Sequence, residues 1–415
     1  MERKTKMDTG FPLLKKLTDH FLESEDDIHM RPLVEFFLND RGSVTDEGIA
    51  YLAKGLASSG RVVNRSGQPP LFDIASTGGP SSLSTLIAPL CLSAMGFSVC
   101  KLGVPGRPAG GIDVMAQVPD FQFTLTEADV NEALAKSRFA HFLAAGQHAP
   151  KDGKLFEYRK SVGAVNVPEL AMASLLSKKI AVGVATVGLD VRVSKHGNFG
   201  TTWEEARANS RRIVKVGREL GINVTCFLSG GSRSYQPFIG RGEALIALDQ
   251  LVEGDEGSWL LHHAEQCFAM ANSIAPSNGT WTQVRKNLGN AFEQHLNAQG
   301  TDGHRFKTAV DNVRNQTRVP VLARTEGFAK ISLGLLRRVF VETQDAYKSA
   351  SDPFPDPIGV VLSKNSGDYC RTGEELASVR CCKEHFKLVM ESLQKAIKVS
   401  AFPGESGFLE EVKHV

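Results

Sequence analysis

Apolar residues near the start of the chain recur at helical spacing. They predict amphipathic helices over 12–21 and 31–38, and a third helix that runs from Thr45, its expected cap, to Leu56. The next segment, 59–70, is rich in Gly, Arg, Asn, Ser and Pro, which predicts a linker or a crossing strand. The N-terminal part of the chain is therefore predicted to be helical.

The pattern changes at Leu71, where short apolar runs begin to alternate with helical segments. Strands are predicted at 71–75, 98–102, 186–193 and 224–228, and helices at 83–96, 167–180 and 203–220. Strands that alternate with helices of this length predict a sheet with parallel pairs, flanked by helices. From about Thr325, strand-like runs at 339–342 and 358–362 and a final helix at 382–398 predict a smaller α+β module.

Composition narrows the class of protein. The 415 residues are 42% hydrophobic and 23% charged, which is typical of a globular protein with an ample core. The net charge is only +2, so no bulk positive field exists to gather nucleic acid or an anionic membrane. Seven scattered cysteines form no CxxC pair, and neither a signal peptide nor an apolar run long enough to span a membrane is visible. These features predict a cytoplasmic protein without a disulfide framework.

Two glycine-rich loops follow predicted strands. In the first loop, backbone N–H groups and the positive end of the following helix point toward one spot, which favours anion binding. The residues predicted to bind the anion are Ser76, Thr77, Gly78 and Gly79. The alternative is a small-residue turn in which Ser81 or Ser82 caps the helix. A second glycine-rich run at 103–111 would frame a cleft at the same sheet edge, unless it is an ordinary surface loop.

Five segments together resemble the thymidine and pyrimidine nucleoside phosphorylases in their order and spacing. They are DIASTGGPSSLSTLIAPL, GRPAGGIDVMAQVPDF, YRKSVGAVNVPELAMASLLSKKIA, GLDVRV and TEGF. The resemblance extends over nearly the whole chain. It implies an α/β protein with an N-terminal all-α domain, a large α/β domain with a mixed sheet, a cleft between them, and a homodimer formed through the helical domain. With the C-terminal α+β module, the predicted domains are 1–65 (joined by the helix 163–183), 70–160 with 186–324, and 325–415.

In that family an Arg, a Ser and a Lys hold the pyrimidine ring, and the matching positions are Arg159, Ser174 and Lys178. Ser174 and Lys178 are four residues apart on a predicted helix, so they share one face. Cationic donors aimed at the ring carbonyls and N3 stabilise the negative charge that develops as the base leaves the sugar. Without the resemblance, the alternative is a solvated Ser/Lys face of a helix.

The phosphate side departs from the family pattern. The family carries a phosphate-binding Lys and a His near the sugar just before STGG, whereas this chain has Ile74 and Ala75. Thr85 matches a Ser that contributes a hydroxyl, but Leu102 replaces a further Ser, and Ile112 or a one-residue gap replaces a Thr. Losing a cation and two hydroxyls predicts weaker binding of inorganic phosphate.

Several cations close to the loops are candidates to replace the missing lysine. The segment after the strand 186–193 inserts Lys195 and His196, and Lys101 and Arg107 are also near in sequence. His196 is predicted either to supply the cation or to position a water. The alternative is a longer exposed loop with solvated charges.

The pair His262 and His263, with Glu265 and Cys267, offers metal-ligand types at helical spacing. No third or fourth ligand is apparent, so a structural pair is predicted, with no metal. The chemistry implied by the resemblance also needs no organic cofactor.

The resemblance implies a pyrimidine nucleoside phosphorylase-like glycosyltransferase, which breaks the N-glycosidic bond of a pyrimidine (deoxy)nucleoside with phosphate as acceptor. The predicted catalytic residues are Arg159, Lys178 and His196, and the predicted partners are a small nucleoside and phosphate or another anion. A nucleoside hydrolase, a transferase with another acceptor and a non-catalytic nucleoside-binding homologue stay open as alternatives. A phosphoribosyltransferase is disfavoured because no acidic residue follows the first glycine pair to hold Mg²⁺ on a pyrophosphate.

Overall fold

A computed structural model describes residues 2–24, 26–63, 67–77, 79–106, 108–144, 147–194, 197–275, 279–403 and 413–414. Its helices are α1 (Glu2–Glu23), α2 (Met30–Asn39), α3 (Asp46–Ser58), α4 (Ser84–Ala94), α5 (Ile112–Met115), α6 (Glu127–Ser137), α7 (Pro150–Ser161), α8 (Pro168–Ala181), α9 (Trp203–Glu219), α10 (Arg241–Glu253), α11 (Ser258–Ile274), α12 (Trp281–Ala298), α13 (Gly303–Arg314), α14 (Leu333–Tyr347) and α15 (Phe386–Ala396). Its strands are β1 (Leu71–Ser76), β2 (Ser98–Gly103), β3 (Phe139–Leu143), β4 (Val184–Val193), β5 (Asn223–Gly230), β6 (Phe238–Ile239), β7 (Val319–Leu322), β8 (Gly327–Ile331), β9 (Ile358–Leu362), β10 (Tyr369–Cys370), β11 (Glu375–Cys381), β12 (Ile397–Ser400) and β13 (Lys413–His414).

The N-terminal region is helical, as predicted. Thr45 caps α3, and its Oγ1 accepts a hydrogen bond from the backbone N–H of Gly48 at 3.1 Å. The helix buries one face against α1 and against α8, which comes from much later in the chain. Leu14 of α1 and Leu52 of α3 are fully buried there. The helix α8 therefore joins the N-terminal helices to the rest of the molecule.

The central sheet is mixed, which confirms the fold class that the resemblance implies. Its strand order is β13-β5-β4-β1-β2-β3. Neighbours from β5 to β3 are parallel, whereas β13 pairs antiparallel with β5. The carboxyl ends of β1, β2 and β3 consequently meet at one edge of the sheet, where both glycine-rich loops begin.

Successive side chains of β1 enter two different hydrophobic cores, because strand side chains alternate between the faces of a sheet. Ile74 packs in the core that contains α4 and α10 to α13. Its neighbour Ala75 packs in the core that contains α3, α8 and α9. The face that carries Ala75 is therefore the face that looks toward α8.

The C-terminal region is an α+β module, but its first predicted strand is wrong. Residues 339–342, which we predicted as a strand, lie inside α14. The run Val-Phe-Val-Glu has local β propensity, but the buried residues Leu336, Phe340 and Thr343 repeat at helical spacing and decide the structure. The strand predicted at 358–362 is confirmed as β9. The final helix is shorter than predicted, since β12 begins at Ile397.

The described residues also bear on the compositional predictions. All seven cysteines are free thiols, and Cys381 and Cys382 are the two that are not buried. In the part of the chain that the structure describes, no helix combines the length and the apolar character that a membrane crossing requires.

Candidate active site

A cleft with a cavity volume of about 240 Å³ lies at the carboxyl ends of β1 and β2. Both glycine-rich loops border it, the first through Ser76, Thr77, Gly79, Ser82 and Thr85 and the second through 103–106 and 109–111. Helices α7 and α8 supply the opposite wall, where Phe156 and Leu175 provide apolar surface. This position, outside the carboxyl ends of parallel strands, is where open α/β sheets bind ligands.

The three residues predicted to hold the base all line this cleft. Lys178 donates a hydrogen bond from Nζ to Ser174 Oγ at 2.8 Å, as their spacing on α8 predicts. The same Nζ donates to Asp152 Oδ2 on α7 at 2.6 Å. Burial lowers the pKa of Lys178, although the Asp152 carboxylate opposes that shift. The pair thus places a desolvated ammonium in the cleft wall.

Arg159 lies on α7 and is held by backbone carbonyls. Its Nε donates to Ala164 O at 3.3 Å, Nη1 to Leu170 O at 3.3 Å and Nη2 to Val165 O at 2.9 Å. Burial lowers the pKa of its guanidinium to about 10. These contacts engage three of the five N–H donors of a guanidinium, so they fix its orientation without exhausting its donors.

A second ionic cluster lies at the floor of the cleft. Asp73 on β1 is fully buried and accepts hydrogen bonds from Lys101 Nζ at 3.1 Å and from Lys179 Nζ. Burial raises the pKa of an isolated carboxyl group, but the two ammonium groups hold the pKa of Asp73 below its usual value. Both lysines line the cleft. Two cations therefore face one carboxylate, and the floor of the cleft carries an excess positive charge.

Lys101 also contacts the backbone at the position of the missing family lysine. Its Nζ donates to the backbone carbonyl of Ile74 at 2.6 Å. Ile74 is the position where the resemblance leads us to expect a phosphate-binding lysine. The side chain of Ile74 itself is buried in the opposite core, whereas Lys101 brings its ammonium in from the neighbouring strand β2. Lys101 lines the cleft, whereas the other replacement cations considered, Arg107, Lys195 and His196, lie outside the described residues.

Residues of β4 form hydrogen bonds with the first glycine-rich loop. The backbone N–H of Thr77 donates to Asp190 O at 3.0 Å, and Thr77 Oγ1 accepts from the Arg192 N–H at 2.8 Å. Ser84 Oγ donates to Asp190 Oδ2 at 2.6 Å. Gly79 adopts a φ of +151°, which favours glycine at that position. Ser76, Thr77, Gly79 and Thr85 line the cleft, so the structure brings the described part of the predicted anion site together.

Arg192 is a buried cation beside this loop that the sequence reasoning missed. Its guanidinium lies 3.6 Å from the ring centroid of Tyr235 and donates from Nη2 to Ser82 Oγ at 2.6 Å. It also pairs with Asp190. Burial alone would lower the pKa of Arg192, but the interactions with Asp190 and Tyr235 together are stronger, so the pKa is raised. The Arg192 Nε and Nη1 atoms are buried and find no partner among the described residues.

Four predicted site or replacement residues lie outside the described residues. They are Gly78, Arg107, Lys195 and His196. Their neighbour Asn198 lines the cleft. The catalytic role of His196 therefore stays a prediction.

The two histidines of α11 have different hydrogen-bond partners. His263 is buried, and its Nε2 accepts a hydrogen bond from the backbone N–H of Leu83 at 3.0 Å. Burial lowers the pKa of His263 to about 3, so the ring is neutral and can accept. His263 thus fixes the start of α4, and His262 contacts Gln266 at 3.2 Å.

Known proteins resemble this chain in sequence over most of its length. No protein-family model matches the chain. The pyrimidine-nucleoside phosphorylase of Staphylococcus haemolyticus is 26% identical over 390 residues, which cover 86% of this chain and 86% of that protein. The pyrimidine-nucleoside phosphorylase of Geobacillus stearothermophilus is 26% identical over 388 residues, with 87% and 86% coverage. Both alignments span most of each protein.

A solved structure shows the same fold. The anthranilate phosphoribosyltransferase of Thermus thermophilus superposes with a TM-score of 0.50 at 14% identity, covering 74% of this chain and 95% of that chain. The fold and the relatives together define a pentosyltransferase-type enzyme. Within that class, the chain is a divergent relative of the pyrimidine-nucleoside phosphorylases, which confirms the resemblance read from its motifs.

Proposed function

We propose that this enzyme cleaves the N-glycosidic bond of a pyrimidine (deoxy)nucleoside with inorganic phosphate as acceptor. The observation that carries the proposal is that one cleft contains two cationic clusters. Arg159 and Lys178 lie in its wall, where Lys178 pairs with Asp152, and Lys101 and Lys179 pair with Asp73 at its floor. Such a cleft suits a reaction in which negative charge is present on the acceptor and develops on the leaving base.

The wall cluster is assigned to the base. The remaining N–H donors of Arg159, with Ser174 and Lys178, bind the ring carbonyls and N3 of the pyrimidine. As the C1′–N1 bond breaks, its electron pair moves into the ring, and these donors stabilise the resulting charge. Phe156 and Leu175 bound the cleft with apolar surface and reduce the screening of this interaction by water.

The floor cluster is assigned to phosphate. Lys101 and Lys179 attract the anion, and the loop residues Ser76 and Thr85 contribute hydroxyl groups beside it. A phosphate oxygen attacks C1′ as the base departs, so a C1′–O bond replaces the C1′–N1 bond. Holding both reactants in one cleft supplies the proximity that the displacement requires.

A homodimer formed through the helical domain, acting in the cytoplasm, completes the proposal. Exposed apolar side chains on the N-terminal helices support such an interface, since Leu13 is 47% exposed and Leu38 is 44% exposed.

Base release from the purified chain tests the reaction. We expect uridine or thymidine to release free base when phosphate is added and not when it is omitted. Chromatography of the products measures the base and the sugar phosphate together. Equal release without phosphate would identify a hydrolase instead, and nucleoside binding without any release would identify a non-catalytic homologue.

The affinity of the cleft for an anion is expected to fall as the pH rises, and to begin to fall at a lower pH than it would with a lysine of ordinary pKa. Burial lowers the pKa of Lys101 below its usual value of 10.5, and an anion binds the protonated ammonium. Affinity is thus complete below the lowered pKa and is lost as pH rises through it. Calorimetric titration with sulfate between about pH 6 and pH 10 measures this, because the charge of sulfate is constant over that range. An affinity that stays constant over this whole range would contradict the assignment.

A further inference from the structure

His141 is a buried histidine of the cleft that the mechanism above does not use. It lies on β3, where the parallel register pairs it with Lys101 of β2. The side chain is 1% exposed and lines the floor of the cleft. Gln299 fixes its backbone, because the Gln299 Oε1 accepts from the His141 N–H at 2.7 Å and Nε2 donates to the His141 carbonyl at 2.8 Å. These bonds and the strand pairing therefore fix the backbone from which the ring projects.

The Nε2 atom of His141 has no hydrogen-bond partner among the described residues. Buried polar atoms almost always have partners, so an unpartnered one in a cleft points to a ligand. The ring edge that carries Nε2 faces the second glycine-rich loop. A Cβ at Gly111 would lie 2.9 Å from Nε2, and a Cβ at Gly103 would lie 3.7 Å from it. Glycine at position 111 thus keeps this edge free of side-chain atoms.

Burial and two nearby cations keep the imidazole neutral. Burial has the largest effect on the pKa of His141, and with Lys101 on β2, His295 on α12 and Lys179 on α8 it lowers that pKa well below 6.5. A neutral imidazole donates one hydrogen bond from Nε2 when its proton sits there. Such a donor adds no positive charge beside the two lysines.

We propose that His141 donates a hydrogen bond from Nε2 to the acceptor anion held by Lys101 and Lys179. This inference rests on the proposed function, since it assigns a further ligand to the same acceptor. Leu102 and Ile112 offer no hydroxyl in this chain, and they adjoin Gly103 and Gly111, the two glycines that flank Nε2. The imidazole therefore supplies from β3 a donor that the loop side chains do not provide.

Replacing the imidazole separates an anion ligand from a structural residue. His141→Met removes the donor at similar volume, and we expect the KM for phosphate to rise about 10- to 100-fold with the KM for nucleoside unchanged. His141→Gln places an amide N–H near the Nε2 position and is expected to stay within a few-fold of the parent chain. Steady-state kinetics with each substrate varied in turn measures both constants.

A matched control is available in the next layer of the core. His295 is buried, stacks on Phe139 at 4.1 Å between ring centroids and does not line the cleft. His295→Met is expected to leave the KM for phosphate unchanged. If His141→Met melts at a markedly lower temperature than the parent chain, His141→Asn serves instead, because its shorter side chain withdraws the donor from the Nε2 position.

The outcomes distinguish this inference from the proposed function. A selective rise in the KM for phosphate in the Met or Asn variant, with retention in the Gln variant, supports the role of His141. If the KM for phosphate is the same in the parent chain and in the variants that lack the donor, the role of His141 is overturned. The proposed function is not affected by that result, because base release still depends on phosphate. If the parent chain releases base at the same rate with and without phosphate, both the role of His141 and the proposed function are overturned.

Discussion

Replacing Lys178 with Ala is expected to lower kcat for phosphorolysis of a pyrimidine nucleoside about 100- to 1000-fold. The ammonium lies in the cleft wall, buried and bonded to Ser174 at 2.8 Å, where it can stabilise charge on the leaving base. Because that charge develops only as the bond breaks, the loss should fall on kcat. Release of free base at saturating phosphate measures it.

The same substitution affects stability, and a second variant separates the two effects. Lys178→Ala leaves the buried Asp152 carboxylate without its cationic partner, so the free energy of unfolding should fall by about 3–5 kcal/mol. The double variant Lys178→Ala with Asp152→Ala removes both charges and should recover stability without recovering activity. Lys160→Ala, which removes the i,i+3 pair of Lys160 with Glu157 on the surface of α7, is the matched lysine control. A double variant with parental activity would refute the base-site assignment.

Replacing Lys101 with Met is expected to raise the KM for phosphate about 100-fold, with a much smaller effect on the KM for nucleoside. Lys101 contributes one of the two cations at the floor of the cleft, and its Nζ lies 2.6 Å from the carbonyl at the position of the missing family lysine. Lys179 still pairs with Asp73 in the variant, so the carboxylate is not left without a cation. Initial rates over a range of phosphate concentrations measure the change.

A lysine–aspartate pair outside the cleft provides the control for this variant. Lys215 pairs with Asp46 at 2.8 Å and is largely exposed, so Lys215→Met should change neither KM value. If Lys101→Met lowers the melting temperature but leaves the KM for phosphate at the parental value, Lys101 serves only to neutralise Asp73. That result would mean that the acceptor binds elsewhere than at the floor of the cleft.

Four of the six strands of the central sheet could be predicted because their signals are local. Apolar runs flanked by glycine loops predicted β1 and β2, and the cap at Thr45 predicted α3. The strand prediction at 339–342 is wrong because the structure of this segment depends on residues outside it. A four-residue window shows β propensity, but the helix that contains it is decided by burial of Leu336 and Phe340.

The candidate site was predictable where the contacting residues lie on one helix. The spacing of Ser174 and Lys178 could be read directly, whereas Lys178 meets Asp152 across 26 residues and Lys179 meets Asp73 across 106 residues. Such pairings depend on the packing of α8 against the sheet, which no local pattern encodes. An aspartate inside the apolar strand β1 was the available signal, because a buried carboxylate requires a cationic partner.

Lys178 and Lys179 are consecutive residues of α8, yet they bond to carboxylates on different elements, Asp152 of α7 and Asp73 of β1. The second bond crosses from the helical side of the cleft to the sheet. Any hinge motion that carries α8 away from β1 takes the ammonium of Lys179 with it and leaves Asp73 balanced by Lys101 alone. With α8 moved away from β1, the floor would be electrically neutral, so the surplus charge that attracts an anion depends on the contact between this helix and this strand.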